Sequence, residues 1–145
     1  MSYFDSAYIA KFYLDEPDSQ AVRNVAESLG QVRCAIIGQA EVAAVFHRKF
    51  REGAIEAEAF REVIAQFDDD CRHALWTWLP LTSALVTAAA AAFARLPRVV
   101  FLRAADAVHL MCASEHGLAE IYTNDRHMSA AARHFRLKAR TVTPS

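Results

Sequence analysis

Apolar positions along this chain follow two patterns: short unbroken runs, and stripes that recur every three or four residues. Their alternation predicts a series of strands and helices. The run "SYF" is a short strand ending at Asp5. It leads into a helix over "SAYIAKFYL", where Ile9, Phe12 and Tyr13 recur at helical spacing. A second helix is expected from Pro17, whose fixed φ suits a first helical position, to a stop at Gly30. The apolar run "VRCAII" reads as a strand, followed by Gly38 and a helix over "QAEVAAVFHRKFRE" that ends near Gly53. Glu56 to His73 is a further helix with Phe60, Val63, Ile64 and Phe67 on one face. A strand "LWTWL" and an Ala-rich helix capped by Thr82 or Ser83 come next, interrupted by "LPR" at Leu96 to Arg98. The last third gives a helix from about Arg103 to His116 stopped by Gly117, a strand "EIYT", a helix "DRHMSAAARHF" starting at Asp125, and a strand "KARTV".

Strands that alternate with helices favour an α/β fold with a mostly parallel sheet covered on both faces. The short strands are mostly apolar rather than alternating, as strands buried on both faces should be. A length of 145 residues fits one domain spanning 1–145, and 54% hydrophobic residues with 23% charged describe a compact globular chain. The net charge of -1 gives no global attraction for nucleic acid, so any such binding has to come from a local basic patch. Cys34, Cys71 and Cys112 are odd in number and have no C-x-x-C spacing, which argues against a disulfide framework or a zinc site and fits a reducing cytoplasm. The start has no signal-peptide pattern, because Asp5 interrupts it. The uncharged stretch from Ala74 to Ala94 is long enough for a membrane span, but Pro80, its Thr/Ser hydroxyls and its run of Ala divide it into a strand, a turn and a helix.

The carboxylates carry the chemical signal. In an open parallel sheet the carboxyl ends of all strands share one edge, where ligands bind. Asp5 closes the first strand, Asp125 follows "EIYT" by one residue, and Glu41 and Asp106 fall in the first turns of their helices. All four are therefore expected on that edge. Two unit negative charges about 4 Å apart repel by roughly 4 kcal/mol at an effective dielectric near 20. Such a group needs either raised pKa values or a divalent cation, and an all-oxygen set suits Mg²⁺, with Mn²⁺ as an option. Helix capping or ordinary ion pairs are the alternative role for these acids, above all for Asp125. His109, one turn from Asp106, reads as a core or rim histidine rather than a ligand, and "DDD" at Asp68 to Asp70 as a solvated helix end.

The blocks "YFDSAYIAKFYL", "AEVAAVF", "LRAADAVHLMCASEHG" and "IYTNDRHMSAAARHFRLKA", in this order and spacing, resemble PIN-domain ribonucleases, particularly VapC-type toxins of bacterial toxin–antitoxin pairs. The "R-x-x-D-x-x-H" and "T-x-D" blocks carry most of the resemblance. It implies a three-layer α/β/α sandwich with a mostly parallel sheet of four to five short strands. By position, Asp5, Glu41, Asp106 and Asp125 match the family's acidic metal-binding quartet, and Ser6 and Thr123 its supporting polar positions. One departure is that Ile37 and Gly38 stand where the family often has a hydroxyl residue opening the Glu helix.

The implied activity is Mg²⁺-dependent endonucleolytic cleavage of RNA, with transfer or ribosomal RNA as the expected target, by in-line attack of a metal-activated water. Arg103, Arg126, Arg48 and Lys49 are the candidate RNA contacts, since a cluster of acids needs basic residues at its rim. The resemblance also implies a small VapB-like antitoxin that blocks the site; separately, a homodimer is expected, with the Ala-rich helix from Ser83 to Ala94 as a candidate interface. Two rival readings fit the residues less well. A non-catalytic PIN-like protein-binding module would be expected to have lost its acids, and a metal-dependent phosphatase of the haloacid-dehalogenase type needs a second Asp where this chain has Ala7.

Overall fold

The computed structural model describes residues 2–143. Strands β1 (Ser2–Phe4), β2 (Val32–Ala35), β3 (Trp76–Leu79), β4 (Glu120–Tyr122) and β5 (Lys138–Arg140) form one sheet in the order β3-β2-β1-β4-β5, and every pairing is parallel. The helices are α1 (Ser6–Tyr13), α2 (Ser19–Leu29), α3 (Gly38–Arg51), α4 (Ala57–Arg72), α5 (Ser83–Ala92), α6 (Ala104–Glu115) and α7 (Arg126–Ala131). One group packs α1 on α2 and α3, and α3 on α4; the other packs α6 on α5 and α7. The sheet lies between them, giving the three-layer α/β/α sandwich expected from the sequence.

The central strand β1 is completely buried and has β2 on one side and β4 on the other. The chain leaves β1 for β2 in one direction and reaches β4 in the other, so the β1/β4 boundary is where the strand order reverses. A crevice opens at such a point beyond the carboxyl ends of the strands. Tyr3, Phe4, Tyr8, Ile9, Phe46, Leu110 and Ile121 are fully enclosed and anchor the two helix layers to the sheet.

Four of the boundaries that differ from the sequence expectation do so for a local reason. Helix α2 begins at Ser19 rather than Pro17, because Pro17 and Asp18 form a turn in which the Ser19 hydroxyl accepts from the Glu16 amide at 2.9 Å. Strand β2 stops at Ala35; Ile36 still donates to the Leu79 carbonyl, but Ile36 and Ile37 turn outward and are 42% and 41% exposed. The segment after Asp125 is α7 plus a 3₁₀ turn over Ala132–Phe135. Finally, β5 ends at Arg140, and the Val142 amide leaves the ladder to donate to the Tyr8 hydroxyl at 2.9 Å. Among the described residues no helix is long and apolar enough to cross a membrane, and the stretch Ala74–Ala94 is divided between β3 and α5.

Gly38 sets how closely α3 approaches the sheet. A Cβ there would lie 2.6 Å from Cys34 Sγ and 3.0 Å from Trp78 Cζ3, both held against the interior. Alanine is the better helix former by about 1 kcal/mol, yet Gly38→Ala is expected to destabilise the protein by about 1–3 kcal/mol through overpacking. Denaturant unfolding checks this. A more stable variant would show that α3 has room to move.

Candidate active site

Asp5 follows the last residue of β1 and is the N-cap of α1. Its Oδ1 accepts from the Tyr8 amide at 2.8 Å, and its Oδ2 from the Thr123 hydroxyl at 2.5 Å. These bonds hold the carboxyl in a buried position, 6% exposed. Burial pushes its pKa up to about 6, against the opposing pull of the two hydrogen bonds and of nearby His109; Asp106 adds to the rise. Asp5 is thus a buried acid whose charged form lacks full compensation.

Thr123 connects two acids. Its hydroxyl donates to Asp5 and accepts from the Asp125 amide at 3.0 Å, and the residue is fully buried. Asp125 caps α7 by accepting at Oδ1 from the His127 and Met128 amides at 2.8 and 2.9 Å, while its Oδ2 accepts from Arg103 Nη2 at 3.0 Å. Arg103 Nε donates to Asp106 Oδ2, also at 3.0 Å, so one guanidinium links two acids from separate helices. Asp106 itself sits in the first turn of α6, as expected.

Glu41 lies in the first turn of α3, and His109 of α6 donates from Nε2 to its Oε1 at 2.5 Å. His109 is 1% exposed, so of the core and rim positions left open by the sequence it takes the core one, with a partner that the sequence does not identify.

Asp5, Ser6, Glu41, Arg103, Asp106 and Asp125 line a single cleft of about 160 Å³, together with Ala7, His109, Asn124 and Met128. Thr123 lies beneath it. The structure therefore brings together the six acidic and supporting residues predicted from sequence, with Arg103 beside them. The other three basic candidates do not line the cleft. Arg48 and Lys49 sit in the last turn of α3, roughly 10–12 Å along the helix from Glu41 at 1.5 Å rise per residue, with Arg48 paired to Glu52 at 3.8 Å. Arg126 is exposed beside Asp125.

An all-carboxylate donor set at a strand-end crevice fits a hard divalent cation in its chemistry. Each carboxylate is committed to a protein donor, and among the described residues no three His, Cys, Asp or Glu side chains stand close enough to hold an ion in this arrangement. Arg103 supplies positive charge to both Asp106 and Asp125. Asp5, Glu41, Asp106 and Asp125 are the cleft residues whose chemistry would suit such an ion.

The family model for the PIN domain matches residues 2–134. The chain belongs to the PIN domain family. Its fold is similar to that of a chain in the "Structure of FitAB bound to IR36 DNA fragment", with a TM-score of 0.71 over 97% of this chain and 94% of that one, at 14% sequence identity. No curated protein matches the sequence.

In this PIN domain two site residues went unrecognised in the sequence. Asn124 lines the cleft from the middle of T-x-D; its Oδ1 accepts from the Tyr8 hydroxyl at 2.7 Å and its Nδ2 donates to Asp18 at 3.1 Å. Its place between Thr123 and Asp125 was the available signal. Tyr3 reads in sequence only as a core aromatic, yet its hydroxyl reaches His109. Away from the cleft, Asp68 and Asp69 are exposed and pair with Arg72, while Asp70 accepts from the Tyr13 hydroxyl at 2.6 Å and from Gln66 at 2.8 Å, so "DDD" is a helix end whose last acid is tied into the structure.

Proposed function

We propose that this chain is a one-domain endoribonuclease that depends on Mg²⁺ or Mn²⁺ and acts as the toxin of a toxin–antitoxin pair. The observation that carries the proposal is the gathering of Asp5, Glu41, Asp106 and Asp125, distant in sequence, around one cleft where the strand order reverses. A divalent ion held by these acids would supply Lewis-acid stabilisation of charge on the phosphate and a more acidic water. The chain's own contribution is positional. Thr123 and the Tyr8 amide fix Asp5, the amides of α7 fix one oxygen of Asp125, and His109 holds Glu41.

Arg103 is the basic residue best placed for RNA: it is exposed and stands at the cleft beside both Asp106 and Asp125, where its guanidinium would face a bound phosphate. Exposed Arg126 extends that rim. The partner proposed is a small VapB-like antitoxin that covers the cleft, for which exposed Ile36, Ile37 and Phe101 offer apolar surface. The similar solved structure is of FitAB bound to a DNA fragment, and by that likeness the complex with the antitoxin is proposed to contact DNA. The proposed setting is the cytoplasm, with a homodimer as the proposed assembly.

The test is incubation of total cellular RNA with the purified chain, in Mg²⁺ and in chelator, beside Asp106→Asn. Discrete fragments from wild type in Mg²⁺ are expected, with cleavage lost in chelator and in the variant. Cleavage that persists in chelator would overturn the proposal.

A further inference from the structure

We infer that His109 and Tyr3 are positioning residues for Glu41, forming a buried hydrogen-bond chain that runs from the sheet to the acid of α3; the inference rests on the metal-site reading above. The Ala35 amide donates to the Tyr3 hydroxyl at 2.8 Å, the hydroxyl lies 2.5 Å from His109 Nδ1, and His109 Nε2 lies 2.5 Å from Glu41 Oε1. One assignment gives each of these donors an acceptor: Ala35 N–H to Tyr3, Tyr3 O–H to Nδ1, and Nε2–H to Glu41. The chain links β2, β1, α6 and α3, so the position of Glu41 is referred to the central strand.

Glu41 needs such a hold. Its side chain is 29% exposed, and a glutamate free on a helix surface has up to about 2 kcal/mol of rotamer entropy to lose before it can serve a rigid site. The start of its helix has no side-chain cap either, since Ile37 occupies the N-cap position without such a bond. The other acids are held by backbone amides, the Thr123 hydroxyl or Arg103. His109 is enclosed at 1% exposure, and its ring stands edge-on to Tyr3 with centroids 5.8 Å apart, so its own orientation is fixed by packing. A donor locked in the core can limit Glu41 to the rotamers that face the cleft. Partners that orient metal-binding side chains in this way typically change metal affinity by roughly 10- to 100-fold when removed.

The test uses the purified full chain and Mn²⁺ alone as the probe. His109→Leu is expected to weaken Mn²⁺ binding roughly 10- to 100-fold. His109→Gln, which can present an amide N–H in place of Nε2–H, is expected to recover most of that loss. In a Glu41→Gln background, His109→Leu should add little, because the histidine acts through that carboxylate. In the metal-free wild type, nitrogen-resolved NMR of the imidazole is expected to show the proton on Nε2, and Tyr3→Phe should disturb that signature. Equal loss from His109→Leu in both backgrounds, or an Nε2 without a proton, would overturn the inference alone. Wild-type Mn²⁺ affinity in Glu41→Gln would instead remove Glu41 from the metal site and overturn the inference with it.

Discussion

Asp5→Asn is expected to lower RNA cleavage by about 10³-fold, since a lost carboxylate ligand forfeits several kcal/mol of charge stabilisation and each 1.36 kcal/mol is about tenfold in rate. The same change should favour the metal-free fold as pH rises. Burial raises the Asp5 pKa from the usual 3.8 to about 6 in the folded protein. Between those values the folded chain holds a proton that the unfolded chain has released. The contribution of this carboxyl to stability is therefore fully present below 3.8, falls as pH rises through about 6, and is level beyond. From about pH 4.5 to 7.5 the stability of Asp5→Asn relative to wild type should rise by about 2 kcal/mol. Unfolding curves at the two pH values, in chelator, measure this directly. A difference that does not change with pH would mean that Asp5 ionises without penalty and has no need of a cation.

Thr123→Val is expected to destabilise the protein by roughly 2–4 kcal/mol, although it replaces the hydroxyl with a group of the same shape. Thr123 is fully buried and serves two neighbours, donating to Asp5 Oδ2 and accepting from the Asp125 amide. Valine leaves both without that partner, and each unsatisfied buried group costs about 1–3 kcal/mol. Thr123→Ser keeps the hydroxyl and should stay within about 1 kcal/mol of wild type apart from the lost methyl. Equal losses in the two variants, measured by denaturant unfolding, would assign Thr123 to packing rather than to holding the acids.

The site was largely legible in the sequence because its acids stand at ends of elements. Asp5 and Asp125 follow apolar runs, Glu41 and Asp106 open helical stripes, and parallel topology sends all of these positions to one edge. What the sequence could not convey depends on tertiary direction. An apolar run reads the same whether it ends inside a strand or turns outward, so Ile36 and Ile37 looked like strand residues but stand exposed beyond β2. Pro17 fits a first helical position but also fits the turn it occupies, and the Ser19–Glu16 bond that decides between them is a structural detail. Arg103 looked like a rim contact for RNA, and only the folded chain shows its guanidinium joining Asp106 to Asp125. The sequence leaves His109 open between core and rim; its link to Glu41 spans 68 residues and leaves no periodic signal.

The most direct measurement is calorimetric titration of the purified chain with Mn²⁺, wild type beside Asp106→Asn, at a pH above 7 where Asp5 is ionised. If the carboxylates of the cleft form a cation site, wild type binds with a saturable isotherm and the variant binds at least about tenfold more weakly, a difference of about 1.4 kcal/mol. Identical isotherms for the two proteins, or no binding by wild type, would contradict a metal site and leave these acids as helix caps and partners of Arg103.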